Sequence, residues 1–333
     1  MERNFPLISI IIPCRNEENF IEGCLDSIIV NNYPKEKLEV LVIDGMSNDK
    51  TKKIIKRYAG QYPFISLLEN HRKFTPFGLN IGIKEAKGEI IIRMDAHAIY
   101  EKDYISKCIK FLKEYNADNV GGATEILPSE NTLLRKAIAL SLSNSFGVGN
   151  AYYKSGYSKE PRWVDTVFCG CYKREVFEKI GLFNENLKRS QDIELNLRLR
   201  NAGGKILLVP SIRSYYYTRH SLKDFFLYNF KNGVWVIYSF KFVKMPLRLR
   251  HYVPFIFVSS LLGAGLLGIF FPVFFWLFLF MTESYLLVNI YFSAKIAIRE
   301  KNWKYFFVMP IVFAARHIGY GSGSILGIIK LFI

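Results

Sequence analysis

The longest apolar run in this chain extends from Tyr252 to Phe292 and contains Glu283 as its only formal charge. A helix needs roughly 20 residues to cross the hydrocarbon core of a bilayer, and this run is about twice that length. Its middle contains residues that break or bend helices, namely Gly263, Gly265, Gly268 and Pro272. The sequence therefore predicts two membrane-spanning helices, at about residues 253–269 and 272–292, joined by a tight turn. The alternative is a soluble core that buries both helices, and their lack of a polar face argues against it.

A third apolar stretch, residues 305–333, is interrupted by Arg316, His317 and four glycines. An arginine inside hydrocarbon is costly unless it is paired or faces protein. A third crossing, an interfacial helix and a re-entrant segment therefore all remain open for this stretch.

Basic residues flank the two predicted membrane helices and set their expected orientation. Lys and Arg in short flanking segments mark the cytoplasmic side. We therefore expect a multi-pass protein of the cell membrane, with both ends of the helix pair facing the cytoplasm. The flanking residues are Arg248, Arg250 and His251 before the pair, and Lys295, Arg299, Lys301 and Lys304 after it.

The chain has 333 residues, which leaves room for a large domain before the hydrophobic end. Its formal net charge is +16. The positive charge favours an anionic partner, such as a phosphate-bearing substrate or an acidic membrane surface. No dense Lys/Arg run with interleaved aromatic residues occurs, and nucleic acid is not expected as a partner. The five cysteines are odd in number and lack metal-type spacing, which predicts reduced thiols. No secretory signal is expected at the start of the sequence given, which places the N-terminal part in the cytoplasm.

Short apolar runs alternate with amphipathic helical patterns in the first 230 residues or so. This alternation is typical of an α/β fold with a mainly parallel sheet. The predicted strands lie at about residues 7–13, 38–44, 64–68 and 90–95, and the predicted helices at about 18–29, 50–58, 77–86 and 104–115. We expect a cytoplasmic α/β domain at 1–235, a basic amphipathic juxtamembrane segment at 236–251, and two or three membrane helices at 252–333.

Polar side chains follow three of the predicted strands at the point where each strand ends. They are Glu17, Asp44, and the pair Asp95 and His97 in the stretch EIIIRMDAHAIY. In parallel sheets, ligands bind beyond the carboxyl ends of the strands. Carboxylates that crowd there repel one another unless a cation or hydrogen-bond donors lie among them. The pattern predicts a nucleotide site with a divalent metal, and the added imidazole favours Mn over Mg. The alternative for Asp95 is a simple turn residue, and for His97 it is local packing.

Four segments carry a resemblance to a known family: SIIIPCRNEENFIEGCLDSI, LEVLVIDGMSNDKT, LNIGIKEAKGEIIIRMDAHAIY and FCGCYKREVFEKIGLFNE. In this order they resemble the family-two inverting glycosyltransferases, and in particular the succinoglycan-type membrane-associated glucosyltransferases, which share the DAHA motif. The likeness covers about residues 5–240. It implies a GT-A fold, a nucleotide-diphosphate sugar donor, with a UDP-sugar favoured over a GDP-sugar, and a divalent cation, Mn or Mg.

The resemblance also implies roles for individual residues. Asp95 would reach both the donor and the metal, and His97 stands where the family usually has a second Asp, which leaves the identity of the metal open. The donor-binding residues would be Pro13, Arg15, Glu17, Asp44 and Asp95. Independently of the resemblance, Arg219 and His220 precede a predicted helix and are cationic candidates for stabilising the departing diphosphate. For Arg219 and His220, a basic membrane-proximal face is the alternative.

The stretch Ser190-Gln-Asp-Ile-Glu194 begins a predicted helix. Ser190 is its expected N-cap, and Asp192 lies in its first turn. The positive end of a helix stabilises an ionised carboxylate, which suits a proton acceptor. The resemblance implies that Asp192 is the general base, with Gln191 in place of the Glu of many relatives. Helix-dipole complementarity alone is the alternative. Weaker candidates for contact with the acceptor are Trp163, Asp165, Glu194 and Trp235.

The expected function is transfer of one hexose from a nucleotide-diphosphate sugar to a polyprenyl-linked acceptor at the membrane, in exopolysaccharide or surface-glycan assembly. A polyprenyl-phosphate (dolichol-phosphate type) sugar synthase is the alternative within the same fold. A non-catalytic membrane scaffold that binds nucleotide sugars is an alternative of a different class, and the presence of both Asp95 and Asp192 argues against it.

Overall fold

The computed structural model describes residues 5–149, 160–218, 221–243 and 249–333. The chain forms two compact units. The first comprises Met1–Glu125 and Gly156–Tyr216, and the second comprises Ile126–Ser155 and Tyr217–Ile333. These units do not follow the expected boundaries at residues 235 and 251, because the helix Leu222–Tyr238 packs within the second unit, against the last helix of the chain.

The first unit is built on a mixed sheet, which has nine strands within the described ranges, in the order β3-β2-β1-β4-β8-β6-β9-β5, with β7 beside β9. Strands β1 to β4 are parallel to their neighbours among these four, while β8 is antiparallel to β4 and β6. The strands are β1 Ile8–Cys14, β2 Leu38–Asp44, β3 Ile65–Glu69, β4 Ile90–Arg93, β5 Ala98–Tyr100, β6 Asn119–Pro128, β7 Arg162–Trp163, β8 Phe168–Lys173 and β9 Ile206–Thr218. The α/β fold is thus confirmed, with the parallel half that the sequence predicted and an antiparallel half that it did not.

Helices cover the sheet and complete the core of the first unit. Strands β1 and β2 are buried along nearly their whole length, as expected for parallel strands covered on both faces. The helices of this unit are α1 Ile21–Ile29, α2 Thr51–Gln61, α3 Thr75–Glu85, α4 Tyr104–Glu114, α7 Arg174–Ile180 and α8 Gln191–Asn201.

The second unit is helical in the part of the chain that the structure describes. Its helices are α5 Leu133–Ser143, α6 Ser145–Val148, α9 Leu222–Tyr238, α10 Leu249–Gly268, α11 Pro272–Arg299 and α12 Lys304–Phe332. Two of them, α10 from His251 onward and α11, are long and apolar enough to cross a membrane. Few of their residues are buried within the protein, unlike those of a soluble core helix.

The third apolar stretch forms one continuous helix, α12, and its glycines do not interrupt it. They allow close helix packing instead: a Cβ on Gly323 would overlap the carbonyl oxygen of Phe230 in α9. Arg316 is paired as its position requires, because its guanidinium donates to Gly147 O at 2.5 Å and to Asn229 Oδ1 at 3.1 Å.

Helix α3 lies so close to the sheet that only glycine fits at residue 82. A Cβ there would lie 2.5 Å from Ile11 Cγ2 and 2.9 Å from Ile43 Cδ1. We expect Gly82→Ala to lower the free energy of unfolding by about 1 kcal/mol or more, because overpacking outweighs the gain in helix propensity. Denaturant unfolding of the full-length chain measures this.

The control is Gly60→Ala in α2, where an added Cβ meets no atom within 4 Å. This change should raise the free energy of unfolding by up to about 1 kcal/mol, since alanine is the better helix former. Equal stabilisation by both substitutions would show that α3 does not pack this closely.

Candidate active site

Two loops are joined by hydrogen bonds at the carboxyl ends of β1 and β2. The buried Asp44 ends β2 and accepts from the Ser47 amide at 3.1 Å and from the Ser47 hydroxyl at 2.5 Å. Asn16 follows β1, and its amide donates to Ser47 Oγ at 2.9 Å. The amide of the next residue, Glu17, donates to Thr51 Oγ1 at 2.7 Å. These bonds fix Asp44 and Glu17 beside each other, as the parallel-sheet argument predicted.

Asp95 and His97 lie in a turn between β4 and β5, which the Ala98 amide closes by donating to Asp95 O at 3.2 Å. His97 Nδ1 lies 3.2 Å from Glu17 Oε1, so strands β1 and β4 bring their polar ends together. The His97 ring also packs edge-on against Tyr216 of β9, with 4.7 Å between ring centroids.

Arg93, the last residue of β4, joins the two acidic residues to which the sequence assigned the main roles. Its Nη2 lies 2.8 Å from Asp95 Oδ1, and its Nη1 pairs with Asp192 Oδ1. Burial alone would lower the pKa of Arg93, but the carboxylates of Asp192 and Asp95 raise it above its usual value. The guanidinium is therefore charged, and it pairs with both the Asp95 carboxylate, which follows β4, and the Asp192 carboxylate of α8.

The sequence analysis did not identify Arg93 as a site residue. The signal was present, since an arginine inside the apolar run IIIRMD must find a charge partner once the strand is buried. Only 8% of Arg93 is exposed, so solvent cannot compensate its charge and the protein must.

Helix α8 places Asp192 in its first turn and Ser190 at its N-cap position, as predicted. Ser190 has a left-handed backbone, with φ of 63°, and its side chain makes no capping hydrogen bond. The buried Asn196 holds the helix instead: its Nδ2 donates to Thr166 Oγ1 at 2.9 Å, and its Oδ1 accepts from Asn119 at 2.9 Å. Side-chain hydrogen bonds further along the helix, and not a capping hydrogen bond, therefore tie α8 to β6 and to the segment before β8.

Glu194 points into the protein and forms a two-point pair with Arg198, at 2.5 and 2.9 Å. Arg198 Nη2 also donates to the carbonyl of Leu182 at 2.7 Å. With 2% exposure, Glu194 is occupied in fixing α8 to the preceding loop. This position disfavours the expected contact of Glu194 with an acceptor.

Trp163 is not brought to the Asp95 turn. It lies on β7 opposite Leu207 of β9, whereas His97 contacts Tyr216, nine residues further along the same strand (216 − 207). At about 3.3 Å per residue, this separation is roughly 30 Å along β9. Asp165, two residues after Trp163, follows the end of β7.

The remaining predicted residues have different surroundings. Pro13 lies on β1 opposite Ile43, and Arg15 is exposed just beyond that strand. Trp235 lies on α9 in the second unit, where its ring packs edge-on against Tyr238. Arg219 and His220 lie outside the described residues.

The histidine geometry suits a metal ligand. A carboxylate at Nδ1 fixes the ring tautomer with its proton on that nitrogen, which leaves Nε2 as the metal-binding atom. Glu17 is such a carboxylate for His97. Among the described residues, no group of three or more His, Cys, Asp or Glu side chains is arranged to hold a metal ion by itself. Asp95 and His97 offer one carboxylate and one imidazole in the same turn, which is a partial ligand set.

The sequence matches the family model "Glycosyl transferase family 2" over residues 9–181, about half of the chain. The chain belongs to this family. It is a family 2 glycosyltransferase with a GT-A-like fold, and the matched region holds the turn of Asp95 and His97 together with the loops of Glu17 and Asp44.

Relatives of this glycosyltransferase are named for sugar transfer and for succinoglycan biosynthesis. The dolichyl N-acetyl-alpha-D-glucosaminyl phosphate 3-beta-D-2,3-diacetamido-2,3-dideoxy-beta-D-glucuronosyltransferase of Methanococcus voltae is 34% identical over 226 residues, which are 66% of this chain and 69% of that protein. The succinoglycan biosynthesis protein ExoA of Rhizobium meliloti is 27% identical over 226 residues, which are 67% of each protein.

Solved structures with low sequence identity share the fold of this glycosyltransferase. The mannosyltransferase PcManGT from Pyrobaculum calidifontis, in complex with GDP-Man and Mn2+, has a TM-score of 0.60 at 18% identity. The match covers 96% of this chain and 88% of that one. GalNAc-T7 with UDP, GalNAc and Mn2+ has a TM-score of 0.53 at 17% identity and covers 66% of this chain and 44% of that one.

Tyr100 holds the Asp95 turn by a hydrogen bond to its backbone. Its hydroxyl accepts from the Asp95 amide at 2.7 Å, and burial raises the pKa of Tyr100 above its usual value, so the hydroxyl stays protonated. We expect Tyr100→Phe to weaken the binding of UDP with MnCl2 by about three- to tenfold, because loss of one hydrogen bond loosens the turn. Isothermal titration calorimetry measures the affinity.

Tyr104→Phe is the matched control. Tyr104 is also fully buried, packs edge-on against Tyr100, and donates its hydroxyl to Cys169 O at 3.2 Å rather than to the turn. Both variants should lose similar stability, about 1 kcal/mol, but only Tyr100→Phe should lose affinity. Equal affinities in the two variants would contradict a role of Tyr100 in holding Asp95.

Proposed function

We propose that this glycosyltransferase transfers a hexose, with inversion, from a nucleotide-diphosphate sugar to a lipid-linked acceptor in exopolysaccharide or surface-glycan assembly. The observation that carries the proposal is the Arg93 bridge, which sets Asp95, at the end of the parallel strands, beside Asp192, at the start of α8. Asp95 would face the donor and Asp192 the acceptor, so the bridge would hold the two reactants' binding groups close to each other.

The donor would bind at the loops after β1 and β2. Asp44 and Glu17 offer carboxylates to the base and ribose, and the exposed Arg15 is available to a phosphate. Two structures of this fold hold GDP-Man or UDP, each with Mn2+, which supports a nucleotide-sugar donor. A UDP-sugar is our preferred donor class, on the resemblance to the succinoglycan-type enzymes.

Asp95 and His97 would hold a divalent cation, Mn or Mg. When bound, the cation neutralises charge on the diphosphate as it leaves. Glu17 orients the imidazole through Nδ1, and Arg93 restrains Asp95. An imidazole ligand in place of a second carboxylate favours Mn over Mg.

Asp192 would serve as the proton acceptor. The acceptor hydroxyl attacks the anomeric carbon and gives its proton to the Asp192 carboxylate, while the bond from that carbon to the diphosphate oxygen breaks. The first turn of α8 favours the ionised carboxylate through the positive end of the helix. Arg93 keeps the carboxylate in place until the acceptor arrives.

The acceptor would be a polyprenyl-linked sugar in the membrane. Helices α10 and α11 would anchor the enzyme as a multi-pass protein with its sugar-transferring unit on the cytoplasmic side, because basic residues flank the pair. The relative from Methanococcus voltae is named for a dolichyl-phosphate-linked substrate, and that from Rhizobium meliloti for succinoglycan biosynthesis. The first name supports a lipid-linked acceptor, and the second supports a role in polysaccharide assembly.

Asp192→Asn and Asp95→Asn should separate catalysis from binding. We expect Asp192→Asn to abolish transfer of labelled sugar to lipid extract while it leaves donor affinity nearly intact. Asp95→Asn should weaken metal-dependent donor binding. Radiolabel in the organic phase measures transfer, and calorimetry with UDP-sugars and MnCl2 measures binding.

Glu175→Gln is the control, since Glu175 is an exposed carboxylate in the first turn of α7. It should retain transfer, which would exclude a general helix-dipole effect. Equal loss of donor binding in the Asp192 and Asp95 variants would refute this division of roles.

His97→Asp restores the commoner family pattern and tests the metal assignment. The variant should bind and use Mg2+ better relative to Mn2+ than the parent does, because Mg2+ prefers oxygen ligands. Donor affinity is measured with each metal in turn. If the Mn/Mg ratio does not change, His97 is not a metal ligand.

A further inference from the structure

The two ends of helix α11 carry different side chains. Residues 269–271, just before its first turn, are apolar and exposed. The other end carries Lys295 and Arg299, and Lys301 and Lys304 follow directly. Only the second end therefore offers charge to a partner.

The length of α11 places this basic end outside hydrocarbon. Its 28 residues extend about 42 Å, against a hydrocarbon core of about 30 Å. Counted from Pro272, the roughly 20 residues needed to cross end near Tyr291. Residues 292–299 then lie at the depth of the lipid headgroups.

Side chains at this end form one exposed surface. Tyr291, Lys295 and Arg299 follow each other at intervals of four, which puts them on one face of α11, and all three are exposed. Across the turn, Trp303 and Phe307 are 70% and 59% exposed, and their rings meet edge-on at 5.4 Å. We call the exposed side chains of this segment the basic–aromatic surface; they are Tyr291, Lys295, Arg299, Lys301, Trp303, Lys304 and Phe307.

The charge of this surface is only partly compensated. Arg299 pairs with Glu300 at 2.9 Å. Within the described ranges, Lys295, Lys301 and Lys304 have no carboxylate within ion-pair distance. Ammonium groups without an ion-pair partner and exposed aromatic rings, within one short segment, match a boundary that has anions on one side and hydrocarbon on the other.

We propose that the basic–aromatic surface binds the headgroups of anionic phospholipids. The inference rests on the membrane insertion of α10 and α11 put forward above, and adds the chemistry of the lipid and the face that binds it. Lysine ammonium groups would contact lipid phosphates, while Trp303 and Phe307 would lie at the level of the glycerol backbone. An acidic partner protein would match the lysines but would leave the bulky apolar face of these rings without hydrocarbon contact.

Lipid-selective quenching of tryptophan tests the proposal. The chain has four tryptophans, and two full-length variants would each retain one, Trp303 or Trp276, with the others changed to Phe. Trp276 lies near the uncharged end of α11 and serves as the matched control. Each variant is reconstituted in phosphatidylcholine vesicles that contain phosphatidylglycerol, with dibrominated acyl chains on one lipid or the other.

Brominated phosphatidylglycerol should quench Trp303 more than its share of the bilayer predicts. The quenching should correspond to about fivefold local enrichment of this lipid, which is the effect expected of one basic side chain near an anionic surface. Trp276 should show no enrichment. The enrichment at Trp303 should fall to about onefold at high salt and in the triple variant Lys295→Gln, Lys301→Gln, Lys304→Gln, since the attraction is electrostatic.

Quenching of Trp303 by each lipid in proportion to its share of the bilayer would overturn the inference and leave a protein partner for this surface. Unchanged enrichment in the triple variant would also overturn it, because the lysines would then play no part. Absence of quenching at both tryptophans by either lipid would instead show that the helices are not in the bilayer, which removes the proposed membrane insertion itself.

Discussion

A buried arginine must have its charge compensated, and Arg93 obtains this compensation from carboxylates on two different elements. Asp95 follows the same strand, whereas Asp192 comes from a helix about one hundred residues later in the sequence. The cost of leaving Arg93 unpaired therefore acts as a constraint on the fold, because the sheet and α8 must meet where both acids reach one guanidinium. The position of the proposed base relative to the donor site follows from this constraint.

Other contacts around the site act in the same way, each by satisfying a buried polar group. Asn196 fixes α8 by hydrogen bonds to Asn119 and Thr166, and Tyr100 holds the backbone of Asp95. Glu17 orients His97. Buried hydrogen bonds of this kind are costly to break, so the side chains are held in position before any substrate binds.

The parallel half of the sheet could be predicted closely from the sequence. Strand β2 was expected at 38–44 and is found at Leu38–Asp44, because strands buried on both faces read as unbroken apolar runs. The antiparallel half escaped prediction. Strands β5 and β7 have only three and two residues, too few for a periodic pattern. Ser190 has the residue type of a cap but not its hydrogen bond, since tertiary contacts determine the start of α8. The glycines of α12 interrupt the apolar pattern of the sequence, and their packing role depends on a partner helix that no local pattern reveals.

The central claim is that the buried Arg93 is coupled energetically to Asp192, the acid from the distant helix α8, and a double-mutant cycle measures this coupling directly. The free energy of unfolding would be determined for the parent, Arg93→Met, Asp192→Asn and the double variant. The account predicts a coupling energy of about 1–2 kcal/mol, because the loss of Arg93 costs less once Asp192 is no longer charged. Additive effects, with a coupling energy near zero, would contradict it.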